Sequence, residues 1–228
     1  MSERPVHDRI RELSDTLVEL AANARGNLLE ALEALKTLDS RKARRVKTFG
    51  YDIGEAETRL ESQCLSFLAL QQPVAKDFRT IVAIMKINED IERIGDLSVH
   101  IVERVPDIGR EMLQAYDLEM VGEKVADMLQ DAIDAFAERD ALKAGRVNVI
   151  EEEIDSMHST IVRNVIDAMK ASSRDVEQLV AVLSISRSLE RIADHATRIS
   201  REVVYLVTGE TPRQMDSAYE FLLKSLRN

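Results

Sequence analysis

Apolar residues recur at three- and four-residue steps along most of the chain. Ile10, Leu13, Leu17, Leu20, Ala24, Ala31 and Leu35 form one series. Ile84, Ile87, Ile91, Ile94, Ile101 and Val105 form a second, with the polar Ser98 in register among them. Val182, Ile185, Leu189, Ile192, Ala196, Ile199 and Val203 form a third. Such steps place the residues on one stripe of an α-helix, the face that a helix bundle buries. No stretch alternates with period two over strand length, so the pattern predicts an all-α chain without sheet.

Breakers are sparse and evenly placed. Asp39-Ser40, Gln71-Gln72-Pro73, Val105-Pro106-Asp107-Ile108-Gly109, Arg139-Asp140, Ser172-Ser173 and Thr208-Gly209 with Pro212 interrupt the pattern. Between them lie six segments of roughly 25–33 residues, long for globular helices. Asp39, Asp140 and Ser173 carry side chains suited to cap the helices that follow them.

The third and sixth segments repeat each other. Ile91-Glu92-Arg93-Ile94-Gly95-Asp96 recurs 98 positions later as Leu189-Glu190-Arg191-Ile192-Ala193-Asp194. Ile87, Ile94 and Ile101 map at the same offset onto Ile185, Ile192 and Ile199. A period near 100 residues implies two copies of one three-helix unit, and short loops make consecutive helices antiparallel neighbours. The expected architecture is two tandem three-helix bundles, six long helices in all, related by a pseudo-twofold. The boundaries fall at 1–106 for the first repeat, 107–210 for the second and 211–228 for a C-terminal tail.

Composition narrows the partners. Apolar residues make up 45% of the chain, enough for a sizeable core, while Trp is absent and aromatics reach 4%, too few for base-stacking platforms. The formal net charge of −10 repels phosphate backbones and anionic lipid, so nucleic acid and membrane surfaces are poor partners. Cations or a basic protein patch fit better. The single cysteine, Cys64, excludes an internal disulfide and sits in an apolar run that predicts a buried core thiol. The start of the chain lacks an apolar signal region, and no run of about 18 apolar residues occurs, so a soluble intracellular protein is expected.

The charged positions suggest chemistry. Glu92 and Asp96 stand four apart, as do Glu190 and Asp194, which stacks each pair on one helix face. Like charges so placed cost about 0.2–0.5 kcal/mol per pair in isolated helices. A hard cation, which seeks clustered oxygen ligands, turns that cost into a gain. The apolar stripe through Ile87, Ile91 and Ile94 leaves both carboxylates outward, so a metal there is a surface metal. Glu89, His100 and Glu103 extend the first stripe. Arg187 and Arg198 replace Glu89 and His100 in the second, predicting the weaker site. Glu57 with Glu61, and Glu151 with Asp155 followed by His158, are further candidates on the neighbouring helices.

Other readings of the same residues remain open. In a chain with 32% charged residues, such pairs also arise as solvated faces bridged to arginine, here Arg93 and Arg191. Asp155 and His158 have the acid–histidine spacing of di-iron bundles, an architecture that needs two such motifs and two inward glutamates. His7 is expected to be exposed. His195 diverges from Asp194 by about 100° and is expected at the surface or in a helix contact. No nucleophile–base–orienter set and no phosphate-cradling glycine-rich loop is visible, so binding is expected, not turnover.

The paired signatures Glu92-Arg93-Ile94-Gly95-Asp96 and Glu190-Arg191-Ile192-Ala193-Asp194 resemble the PhoU family of phosphate-specific transport system accessory proteins. Gln72-Pro73, Asp77-Phe78-Arg79 and Ser186-Arg187-Ser188-Leu189-Glu190 add to the resemblance, which runs from about Leu13 to Gly209. It implies a negative regulator of the phosphate-starvation response that is not an enzyme. The implied partners are the ATPase of a phosphate ABC transporter and a sensor histidine kinase. The implied state is a cytoplasmic homodimer that meets the membrane only through those partners. The resemblance also implies surface metal sites at Glu92, Asp96, Glu190 and Asp194, extended to Glu57, Glu61 and Asp155, with Fe, Mn, Mg or Zn as candidate ions. Ala193 stands where the family more usually has glycine, and His158 aligns with Glu57. The competing classes are a carboxylate-bridged di-metal protein, with its acids turned inward, and a metal-free helical scaffold.

Overall fold

Two of the breaks between helices share one construction. Leu38 takes the left-handed conformation (φ 53°), and Asp39 then caps the next helix by accepting from the backbone N–H of Arg41 at 2.7 Å and Lys42 at 3.4 Å. Arg139 (φ 55°) and Asp140 do the same, with Asp140 accepting from Leu142 at 2.8 Å and Lys143 at 3.0 Å. Each cap satisfies helix N–H groups that have no intrahelical partner.

The computed structural model describes residues 4–209, so the expected tail at 211–228 lies outside the described residues. The elements are α1 (Arg4–Thr37), α2 (Ser40–Gln71), α3 (Ala75–Glu103), a 3-10 turn (Val105–Asp107), α4 (Arg110–Ala115), α5 (Leu118–Glu138), α6 (Ala141–Ala171) and α7 (Val176–Thr208). Among the described residues there is no strand, as the pattern predicts.

Two local expectations are corrected. The fourth segment is broken into α4 and α5, because Asp117 adopts the left-handed conformation (φ 50°), which Asp tolerates better than most residues. Ser173 does not cap α7. That helix starts at Val176 after Asp175, which makes no side-chain cap bond, and Ser172 Oγ instead accepts from the N–H of Arg174 at 3.2 Å.

α1, α2 and α3 pack together, and so do α5, α6 and α7. The repeat is visible in the core. At an offset of 101 the buried Leu17, Leu28, Ile53, Leu60 and Cys64 correspond to Leu118, Leu129, Ile154, Ile161 and Val165. The offset changes to 98 for α3 and α7, where Ile84, Ile91 and Ile94 correspond to Val182, Leu189 and Ile192, all fully buried. The chain therefore loses three positions of register in the connection before its third helix. Burial also pushes the Cys64 thiol up to about 11, which makes it a core residue and not a nucleophile.

The halves join along α3–α7 and α1–α5. α3 and α7 run antiparallel: Lys86 Nζ meets Glu202 Oε1 at 2.9 Å, and Asp90 Oδ1 meets His195 Nδ1 at 2.7 Å. Along the other seam Arg25 Nε donates to the carbonyl of Ala126 at 3.1 Å, and Lys36 pairs with Glu119 at 3.1 Å. Gly122 lets α1 and α5 approach closely, since a Cβ there would lie 2.3 Å from Leu32 Cδ2.

Candidate functional site

The carboxylates singled out in the sequence gather on the second and third helices of each half. Burying Ile87, Ile91 and Ile94 turns Glu92 and Asp96 outward: Glu92 is half-buried and Asp96 exposed. Ile53 and Leu60, buried on α2, set Glu57 towards α3. There Asn88, itself fully buried, donates Nδ2–H to the Glu57 carbonyl at 2.9 Å and to Glu57 Oε1 at 3.1 Å. The second half makes the corresponding link with different groups. Ser186 stands where Asn88 does, and its Oγ lies 2.8 Å from His158 Nδ1. Thus His158 occupies the place of Glu57, the alignment read from the sequence.

Electrostatics ties each group together. Burial first, then the charge of Glu61, pushes the Glu57 carboxyl above its ordinary value, with Glu89 adding to the rise. Burial and then Asp96 push Glu92 upward, and Glu57 contributes from the neighbouring helix. In the second half, burial followed by Asp194 raises both Glu151 and Glu190, and Asp155 adds to each. All these shifts have one cause: partial removal from water beside like charges disfavours the ionised form.

Arginines offset each cluster, Arg93 in the first half and Arg187 with Arg201 in the second. Arg93 stands 3.5 Å from Glu92 and 3.8 Å from Asp96. Arg187 Nη1 lies 3.5 Å from both oxygens of Glu190, whose Oε2 is buried without a hydrogen bond. Arg198, read from the sequence as a second basic residue against this cluster, instead turns to Asp90 at 3.9 Å. Glu103, read as part of the first stripe, pairs with Lys47 at 3.5 Å. Glu61 and Asp155 are exposed and act as neighbouring charges.

The donors suit a hard cation in kind, being carboxylate oxygens, and those of Glu57, Glu92, Glu151 and Glu190 have raised proton affinity. Their spacing is open: among the described residues no three His, Cys, Asp or Glu side chains stand close enough together to hold a metal ion. Nor is there an inward acid set. Asp90 is the one acidic residue buried among the described residues, and it is engaged by His195. An inward carboxylate-bridged di-metal core therefore has no ligand set among the described residues. The helix-contact role expected for His195 is the one it has, with Asp90 as a partner that sequence reasoning missed. Its signal was present: position 90 lies three residues after Ile87 and four before Ile94, on the buried stripe. Outside the core, His7 is exposed, 3.6 Å from Asp77.

Comparison with known proteins adds a lineage to this geometry. The family model described as PhoU domain matches residues 17–105 and again 118–203, one match per half. A phosphate-specific transport system accessory protein PhoU homolog from Pseudomonas putida is 33% identical over 209 residues, covering 90% of this chain and 82% of the relative. The crystal structure of PhoU from Pseudomonas aeruginosa superposes with a TM-score of 0.83 at 29% identity, covering 90% of this chain and 99% of that one. The phosphate transport system regulatory protein PhoU from Streptococcus pneumoniae gives 0.84 at 28% identity, with 90% and 98% coverage.

Proposed function

The chain belongs to the PhoU family, and on that premise we propose that it is a negative regulator of the phosphate-starvation response. In this reading it is a cytoplasmic accessory protein that couples a phosphate ABC transporter to a sensor histidine kinase by protein contacts. It contacts the transporter's ATPase and the kinase, acts as a homodimer and performs no turnover of its own. No helix among the described residues is long and apolar enough to cross a membrane, which fits reaching the membrane through those partners.

The observation that carries this reading is the PhoU domain match to each half of the chain; the carboxylate pairs at corresponding places on α3 and α7, with further acids on α2 and α6, extend it to metal. Glu92, Asp96, Glu57 and Glu61 are the proposed surface ligands in the first half, and Glu190, Asp194 and Asp155 those in the second. Fe, Mn, Mg or Zn are the candidate ions, held when these flexible side chains converge on a cation that relieves their repulsion. The open spacing of the carboxylates favours, as a second reading, an adaptor that works without metal. Metal analysis of protein purified without chelator separates the two.

The regulatory reading is tested with a reporter for phosphate-starvation genes in a strain lacking this gene. Expression in phosphate-rich medium is expected. Normal repression there removes the regulatory role.

A further inference from the structure

Each half presents on its second and third helices a face that is acidic at one end and apolar at the other. Along α3, positions 78, 82, 85, 89, 92 and 96 follow three- and four-residue steps and share one stripe. It starts with Phe78, Val82 and Met85 and ends with Glu89, Glu92 and Asp96. α7 repeats this at an offset of 98, from Val176, Val180 and Leu183 to Arg187, Glu190 and Asp194. Leu65 follows Glu57 and Glu61 on α2, and Ile166 follows Asp155 and His158 on α6. The apolar ends are open to solvent: Leu65 is 51% exposed, Phe78 48%, Ile166 43% and Val180 51%.

We propose that each face docks a basic amphipathic helix, so that one chain binds two. The inference rests on the reading that this protein works by binding other proteins, and it names the surface and the kind of partner. Scattered exposed apolar residues need no explanation, but here an exposed pair recurs at matched positions of a repeat, Leu65 with Phe78 and Ile166 with Val176, the last 37% exposed. Two packed antiparallel helices leave a groove that accepts a third helix, and an apolar stripe seated there gains about 25 cal/mol per Å² removed from water. The charges choose the occupant. Glu89, Glu92 and Asp96 lie directly beyond the apolar end of α3, and Glu190 and Asp194 beyond that of α7, so the fitting helix carries lysine or arginine at one end of its apolar stripe. Arg187 stands inside the second acidic end and makes that face the weaker of the two.

The test titrates the full chain by calorimetry with a synthetic 18-residue amphipathic helix of leucine and lysine, against a peptide of the same pattern with glutamate for lysine. The expected result is two lysine peptides per chain, binding that weakens roughly tenfold or more between low and high salt, and no binding of the glutamate peptide. Leu65→Lys with Phe78→Lys removes one of the two sites, and Ile166→Lys with Val180→Lys removes the other. These positions are exposed, so helical content by circular dichroism stays unchanged. Equal binding of both peptides, no binding of either, or a stoichiometry indifferent to these variants overturns the proposal. So does self-association of the wild-type chain that the same variants abolish, which makes a second copy the occupant. The regulatory reading is judged separately, by the reporter in the deletion strain.

Discussion

Asp90 on α3 and His195 on α7 join the two halves across the molecule: Oδ1 of the carboxylate lies 2.7 Å from Nδ1 of the ring. Both are nearly excluded from water, at 9% and 6% exposure. Arg198 Nη1 lies 3.9 Å from the same oxygen. His195→Ala leaves a buried carboxylate without its hydrogen bond and is expected to cost about 1–3 kcal/mol. Asp90→Ala is expected to cost a similar amount, and the double variant less than their sum, by about 0.5–3 kcal/mol of coupling. Urea denaturation of the four proteins measures this. Strict additivity shows that the pair contributes nothing as a pair.

The α1–α5 seam depends on a missing side chain. Gly122→Val puts a branched group where a Cβ alone would already lie 2.3 Å from Leu32 Cδ2. Overpacking of this kind costs about 1–3 kcal/mol, more than the helix gains by losing a glycine. Leu32→Ala in the same chain is expected to recover part of that loss. A Gly122→Val protein as stable as the wild type shows that the half-buried Leu32 side chain moves aside freely.

The long helices, their breaks and the repeat were legible in the sequence because they rest on local chemistry. The three- and four-residue spacing of Leu13, Ile94 and Ile192, and the aspartates at 39 and 140, require no knowledge of the partner helix. The split at Asp117 was not legible: α1 carries Thr16 at the matching position and runs straight through, with Thr16 Oγ donating to the Glu12 carbonyl at 2.8 Å. Nor was the fate of Arg198, since its turn towards Asp90 depends on how the halves dock. The outward setting of Glu92 and Asp96 followed from the apolar stripe alone, whereas the link from Asn88 to Glu57 is a tertiary contact with no local mark.

Caps give a direct comparison between a correct and an incorrect reading. Asp39→Ala and Asp140→Ala each remove an acceptor for two backbone N–H groups, and each is expected to cost about 0.5–2 kcal/mol. Ser173→Ala is expected to fall within about 0.5 kcal/mol of wild type, as other surface changes do. Thermal or urea unfolding decides it, and a Ser173→Ala loss equal to the aspartate losses contradicts the described start of α7.

Glu57, Glu92, Glu151 and Glu190 all have raised carboxyl values in the folded protein, from burial and neighbouring acids. A raised acid binds protons more readily folded than unfolded, so its contribution to stability falls as pH rises through the folded value. Below the ordinary value of 4.5 the penalty is absent. Glu92→Gln is therefore expected to stabilise the protein near pH 7–8 by about 0.2–0.5 kcal/mol. That gain is expected to vanish as pH falls towards the ordinary glutamate value. Unfolding curves of wild type and variant across this range measure it, and a variant that is less stable at neutral pH reverses the sign.

The same repulsion bears on metal. A cation bound among Glu57, Glu61, Glu92 and Asp96 has to displace Arg93, which stands 3.5 Å from Glu92 and 3.8 Å from Asp96. Arg93 is half exposed, so the pair it makes is screened and worth at most about 1 kcal/mol. In the second half Arg187 sits beside a Glu190 whose Oε2 is buried, and His158 fills the place of Glu57 with a ring already engaged by Ser186. The first cluster is therefore expected to take up Mn or Fe more tightly than the second. Glu92→Ala with Asp96→Ala is expected to remove most of the metal from protein purified without chelator, and Glu190→Ala with Asp194→Ala a smaller part. Arg93→Ala is expected to raise uptake, a change that a merely structural role for the acids does not produce. Elemental analysis of the four proteins gives the answer, and equal metal content in all of them means that these carboxylates are not the ligands.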